Sequence, residues 1–228
     1  MLTRGNVLIE TQFSDSEELQ LKYLGRNVVD IAQSTSGFAW IDEEGIHCGK
    51  KFNNSDWDVA PANDGALKKL TWSDDGKLLL ASRQSGAFLC LNPENGELIW
   101  EGYGHNFPLD KAVCTPDLKY LLTIDDLGDA FIHDLRRHRP IAKIAQTTSP
   151  FVGACFVDNN GRLLMLNKAG GIELIEVKQG QVSRVILRYD PEAGEGQAQL
   201  VPSTNGATSV SRNGSLFETN FEKGHNDR

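Results

Sequence analysis

Glycines recur along this chain at a nearly fixed interval: Gly45, Gly86, Gly128, Gly170 and Gly214 stand 41, 42, 42 and 44 residues apart. Gly5, 40 residues before Gly45, carries the beat to the first residues. A second marker keeps the same time, because Trp72, Cys114 and Phe156 are 42 residues apart and each opens a turn leading into an apolar run. A period of this size with strand-like text between the beats requires stacked four-stranded units, each burying its apolar faces against its neighbours.

The repeat from Lys68 reads most clearly. Leu70-Thr71-Trp72 is a short strand, and Ser73-Asp74-Asp75-Gly76 a tight turn in which Asp bonds its own backbone and Gly accepts positive φ. Lys77–Ser82 is a second strand, apolar enough to be sandwiched on both faces. Arg83-Gln84-Ser85-Gly86 turns into a third strand, Ala87–Leu91, and Asn92–Gly96 turns into a fourth, Glu97–Glu101. Lys111–Ile144 and Val152–Leu187 follow the same script, and a looser copy runs from Val28 through Phe38–Ile41 to Val59. Helix signals are almost absent; the best, Ser14–Leu24, is short and Gly-terminated.

The repeats resemble WD-repeat β-propellers and their degenerate relatives over residues 28–221, most closely over 68–145. Ser73–Ser82 matches the family's first turn and second strand, and Gly104-His105 lies nine residues before Cys114, where the family carries its Gly-His. The resemblance implies a His–Thr–Asp–Trp hydrogen-bonded set, here His105, Thr123 and Asp125 or Asp126, with His133 in place of Trp. The WD dipeptide is missing from its place, which Leu91-Asn92, His133-Asp134 and Thr219-Asn220 occupy; Trp57-Asp58 falls too far past Gly45.

The expected fold is therefore all-β, a single propeller domain over 1–228 of about five four-stranded antiparallel blades. Repeats span about 28–66, 67–108, 109–151 and 152–195, with 223–228 a disordered tail. Asn6–Glu10 and Leu19–Leu24 read as third and fourth strands, while Gln197–Val201, Thr208–Ser211 and Ser215–Phe221 read as first, second and third. The two incomplete ends complement each other, so 1–26 and 196–222 are expected to close the ring as a shared blade. The alternative is an arc that a second chain completes.

Composition limits the function. A net charge of −8 argues against a broad nucleic-acid or anionic-membrane surface. No apolar stretch has the length of a signal peptide or a membrane span, so a cytoplasmic protein is expected. Cys48, Cys90, Cys114 and Cys155 lack any C-x-x-C spacing and read as small apolar fillers, not as metal ligands or disulfides. Catalytic and phosphate-binding motifs are absent, and Gly170-Gly171 and Gly194-Glu195-Gly196 lack the helix a phosphate loop needs. No catalytic residue, metal or cofactor is assigned.

What remains is display. The turns between second and third strands gather Asp42-Glu43-Glu44, Arg83-Gln84, Asp125-Asp126, Asn167-Lys168 and Arg212-Asn213 on one face, joined by His105-Asn106-Phe107. The opposite face carries the basic turn Arg136-Arg137-His138-Arg139, which fits an acidic partner or a solvated hairpin tip. The expected function is a non-catalytic scaffold that binds a protein partner through Arg83, His105, Phe107, Asp125, Asp126 and Lys168, or through Arg136, Arg137 and Arg139. Its rivals are a subunit completing a larger propeller or complex, and a quinone-dependent enzyme. The latter rests on Leu91–Trp100, which resembles one repeat of pyrroloquinoline-quinone dehydrogenase propellers.

Overall fold

The computed structural model describes the backbone of residues 8–13, 19–25, 28–50, 55–60, 66–144, 146, 149–158, 161–169, 171–178, 181–189, 199–203, 206–210 and 216–220, and the side chains of those within 28–177 and 181–183. Gly5, Gly170, Gly214, the Arg212-Asn213 turn, Gly194–Gly196 and the tail at 223–228 lie outside the described residues.

The described elements are all strands. Four sheets have four antiparallel strands each, in simple sequential order. The first blade is β3 (Asp30–Ser34), β4 (Gly37–Ile41), β5 (Ile46–Gly49) and β6 (Trp57–Val59). The second is β7 (Leu67–Trp72), β8 (Leu79–Arg83), β9 (Phe88–Leu91) and β10 (Leu98–Gly102). The third is β11 (Leu109–Cys114), β12 (Tyr120–Asp125), β13 (Ala130–Asp134) and β14 (Arg139–Ile144). The fourth is β15 (Phe151–Phe156), β16 (Arg162–Asn167), β17 (Gly171–Lys178) and β18 (Gln181–Tyr189). These are the blades of a β-propeller. The segment that offered a helix at Ser14–Leu24 instead contributes β2 (Leu19–Gly25), paired with β1 (Leu8–Phe13) in a two-stranded sheet. The three expected C-terminal strands form a sheet of their own: β19 (Gln199–Ser203), β20 (Gly206–Val210) and β21 (Leu216–Asn220).

Packing divides the chain into two compact units, Met1–Leu109 and Asp110–Arg228. The boundary falls at the start of a blade, where a repeat architecture has its seams. In the first unit, Ala39, Ile41, Ile46 and Cys48 of one blade pack with Leu67, Leu70, Leu79, Ala81, Leu89 and Leu91 of the next. Polar stitches follow the same seam: Leu70 N donates to Asp30 Oδ2 at 2.7 Å, and Ser36 Oγ to Gly76 O at 3.1 Å. In the second unit, Val113, Leu122, Ile124 and Ile132 pack with Phe151, Phe156, Leu163, Met165 and Ile175. Second strands are buried on both faces, as their near-continuous apolar text requires. All four thiols are free and buried. Burial pushes the Cys90 thiol up to about 12, and burial with the nearby Asp56 charge pushes Cys48 up to about 11, so both are inert fillers.

The 42-residue repeat extends to individual turn residues. Ser73 and Thr115 both accept a backbone N–H through the side-chain oxygen, from Leu78 and Tyr120, each at 3.0 Å. Two glycines of the second blade, Gly76 (φ 69°) and Gly96 (φ 73°), are replaced one period later by Leu118 (φ 52°) and His138 (φ 51°). A left-handed conformation costs a side-chain-bearing residue about 1 kcal/mol. His138→Gly is therefore expected to raise stability by roughly 0.5–1 kcal/mol in urea unfolding; an unchanged midpoint means the turn relaxes without strain. Pro140 next to it is tolerated because β14 is the outermost strand of its blade and pairs through a register shift at His133.

Candidate functional site: the turns joining second and third strands

The glycine beat marks these turns. In the second blade Arg83 N donates to Ala87 O at 2.8 Å and Gly86 N to Arg83 O at 3.0 Å. One period on, Asp125 N donates to Asp129 O at 3.0 Å and Gly128 N to Asp125 O at 2.8 Å. Gly86 (φ 84°) and Gly128 (φ 80°) occupy the position that has to be left-handed to return the chain to the next strand.

The residue three before each glycine turns inward, which corrects the surface role expected for Arg83 and Asp125. Arg83 is only 4% exposed, and its Nη1 donates to Glu101 Oε1 at 2.8 Å. Asp125 is buried; its Oδ1 accepts from Leu127 N at 3.0 Å and Asp129 N at 2.9 Å. Asn167, in step with them, is buried with Oδ1 accepting from Gly171 N at 2.8 Å. A polar side chain at this position closes its own hairpin or pairs across the sheet, and is held by the fold. The two tip residues that follow face solvent: Glu43 and Glu44, Gln84 and Ser85, Asp126 and Leu127, and Lys168 with half-buried Ala169.

The loops leading into the next blades lie over these turns. In the first unit a Cβ on Gly86 would lie 2.5 Å from the carbonyl carbon and oxygen of His105. His105 is accordingly buried, again correcting its expected surface role, whereas Phe107 is 39% and Tyr103 56% exposed. In the second unit the loop at Pro150 bridges two tips, with Phe151 N donating to Gly128 O at 3.3 Å and Lys168 N to Pro150 O at 2.8 Å. Gln146 Nε2 donates to Leu127 O at 3.3 Å and Asp129 Oδ1 at 2.9 Å, and Lys143 Nζ lies 2.7 Å from Asp129 Oδ2. Asp126, Leu127 and Lys168 thus share one firmly held surface, on which Leu127 is 53% exposed. A leucine among turn residues passed unnoticed in the sequence, since nothing local distinguishes an exposed tip from a buried one.

Arg136, Arg137 and Arg139 are exposed on the turn between β13 and β14, at the other end of the same hairpin strand. Arg136 Nη2 lies 3.5 Å from Asp117 Oδ2, and Arg137 Nε 3.7 Å from Asp134 Oδ2. Of the hydrogen-bonded set that the family resemblance implies, Thr123 Oγ1 and His133 Nε2 meet at 2.8 Å in the core of the third blade.

The first blade carries a charged cluster around His47. His47 is buried, with Nδ1 2.6 Å from Asp58 Oδ1 and Nε2 2.8 Å from Asp42 Oδ1. Its ring stacks on Trp40, centroids 5.0 Å apart at 17°. Burial opposes the imidazolium, but the hydrogen bonds to Asp58 and Asp42 outweigh it and raise the His47 pKa above 6.5. Asp58 belongs to the Trp57-Asp58 pair; Trp57 Nε1 donates to Pro93 O at 2.8 Å. Both side chains therefore have structural partners. The only sequence signal was a histidine five residues after one aspartate and eleven before another.

No family model matches this chain, and no curated protein matches it. Solved structures do. A computationally designed protein, Ika4, is similar over 72% of this chain and 96% of its own, with 14% identity and a TM-score of 0.53. The β-propeller domain of Myceliophteria thermophila Cps50 (Swd1) is similar over 70% of this chain, with 15% identity and a TM-score of 0.56. The C-terminal WD40 domain of Sif2 is similar over 86%, with 14% identity and a TM-score of 0.60. The chain spans 53% and 58% of the length of the last two. The shared property is the propeller fold. Among the described residues, no helix is long and apolar enough to cross a membrane.

Proposed function

We propose that this protein is a non-catalytic scaffold that docks a protein partner on the tips between second and third strands and the loops beside them. The supporting observation is the exposure of apolar side chains beside these turns, Tyr103 and Phe107 in the first unit and, in the second, Leu127 on a tip closed by its bonds to Asp125. A rigid display loses little conformational entropy on binding, so a few apolar anchors suffice for affinity. Charged neighbours, Asp126 and Lys168 among them, supply the polar rim. The four buried free thiols suit a reducing, cytoplasmic setting.

The test is affinity purification from the native source with wild type, Phe107→Ala and Leu127→Ala/Asp126→Lys, each checked for an unchanged circular dichroism spectrum. Loss of an anchor is expected to reduce partner recovery at least about tenfold. Recovery of the same partner at wild-type level by every variant sinks the assignment of these tips and loops.

A further inference from the structure

We propose that a cleft in the third blade, at the end away from those tips, docks an acidic peptide segment of a protein partner through its carboxylates. The cleft encloses about 540 Å³ and is lined by Lys119, Tyr120, Asp134, Arg137, Arg139, Pro140 and Ile141. It draws its cations from two different hairpins, Lys119 from the turn between β11 and β12, Arg137 from that between β13 and β14, and Arg139 from the first position of β14. Neither Lys119 nor Arg139 is within ion-pair distance of a carboxylate among the described residues; the Lys119 ammonium lies 4.6 Å from the Tyr120 ring centroid, and its charge helps hold the neighbouring Asp117 carboxyl below its ordinary value. Three cations against the single carboxylate of Asp134 leave the lining positive in a protein whose net charge is −8.

Comparison with the preceding repeat shows that this charge is no requirement of the fold. One 42-residue period earlier, Glu94, Asn95 and Glu97 stand where Arg136, Arg137 and Arg139 stand here. The same hairpin thus forms with an acidic tip in one blade and a basic tip in the next. Both turns beside the cleft also trade the glycine of the second blade for a side-chain-bearing residue at positive φ, Leu118 beside Lys119 and His138 between the two arginines.

Carboxylates fit better than a phosphate. Three backbone N–H groups at the two turns are committed: Asp134 Oδ1 accepts from Arg136 N at 3.0 Å and Arg137 N at 3.1 Å, and Lys119 N donates to Asp117 Oδ1 and Thr115 Oγ1, both at 3.1 Å. Those three amides are not available to build a nest for a dianion, and Asp134 opposes concentrated negative charge. Separated monoanions each meet one cation, while Tyr120, Pro140 and Ile141 accept an apolar residue between them.

This inference rests on the scaffold reading, and its test separates the two. A fluorescein-labelled peptide of alternating Asp and Glu around a central Leu is titrated into the full chain, beside its Asn/Gln counterpart and a phosphoserine peptide. Wild type is expected to prefer the acidic peptide to the amide one by at least about tenfold, with the preference fading at high salt. Arg137→Gln/Arg139→Gln and, independently, Lys119→Gln should each weaken it about fivefold or more, at unchanged unfolding midpoints. Equal binding of the acidic and amide peptides overturns the proposal, as does insensitivity to these substitutions. Binding of the phosphoserine peptide alone overturns the carboxylate assignment. If the cleft variants recover the native partner undiminished while Phe107→Ala does not, the cleft is overturned and the scaffold reading stands; if no variant changes recovery and no peptide binds, both fall.

Discussion

Gly86→Ala and Gly128→Ala are each expected to destabilise the protein by about 3 kcal/mol, enough to leave either variant largely unfolded in moderate urea. Two costs add. Alanine at a left-handed φ costs roughly 1–2 kcal/mol. Forcing a methyl group against fixed neighbours costs roughly 1–3 kcal/mol more. The neighbours are backbone or ring atoms with nowhere to swing: His105 C and O at 2.5 Å for Gly86, and Pro150 Cβ at 2.5 Å with Phe151 N at 2.7 Å for Gly128. Asparagine separates the two costs, because it tolerates left-handed backbone but still carries a Cβ. Gly86→Asn is expected to recover less than half of the loss. Full recovery by Asn shows that conformation alone selects glycine here; an alanine variant within about 0.5 kcal/mol of wild type refutes the close approach itself. The loop pressed on Gly86 is also the one that carries Phe107 of the proposed docking surface.

That close approach also explains what could be read from the sequence and what could not. Hairpin text is local: Ser73–Gly76, Arg83–Gly86 and Asn92–Gly96 each carry their own turn chemistry. The strands they separate accordingly fall within two or three residues of expectation, Leu67–Trp72, Leu79–Arg83, Phe88–Leu91 and Leu98–Gly102. The orientation of a single turn residue is not local. Arg83 reads as a solvent-facing cation because its partner, Glu101, is supplied by another strand eighteen residues later. Asp125 reads as surface charge, yet its carboxylate is consumed by two backbone amides of its own turn. Phe107 reads as a candidate anchor because an aromatic in a loop is conspicuous; Leu127 does not, because its exposure follows from its place at a tip whose first residue points inward.

His47 provides the second large effect, and it depends on pH. With each ring nitrogen facing a carboxylate oxygen, at 2.6 and 2.8 Å, the neutral ring has one unprotonated nitrogen confronting lone pairs. The imidazolium donates from both, and its charge also favours the Trp40 face. Because the folded pKa is raised above 6.5, the cluster contributes its full stability below that value and loses it as pH climbs through the raised one. On the acid side, Asp58 is held below 3.8 by its hydrogen bond to His47, so its share persists above 3.8 and disappears as pH falls through the lowered value. His47→Gln removes the positive charge and the two separately placed nitrogens that meet Asp58 and Asp42. It is expected to cost on the order of 2 kcal/mol near pH 6, with the gap from wild type narrowing steadily towards pH 9. Urea midpoints of both proteins between pH 5 and 9 measure that gap, and imidazole nitrogen chemical shifts report whether both nitrogens carry protons. A gap that is constant or widens with pH requires a neutral His47 and reverses the sign of the argument. Asp58→Asn gives an independent reading, because removing one carboxylate charge should lower the His47 pKa and move the pH dependence of stability downward with it.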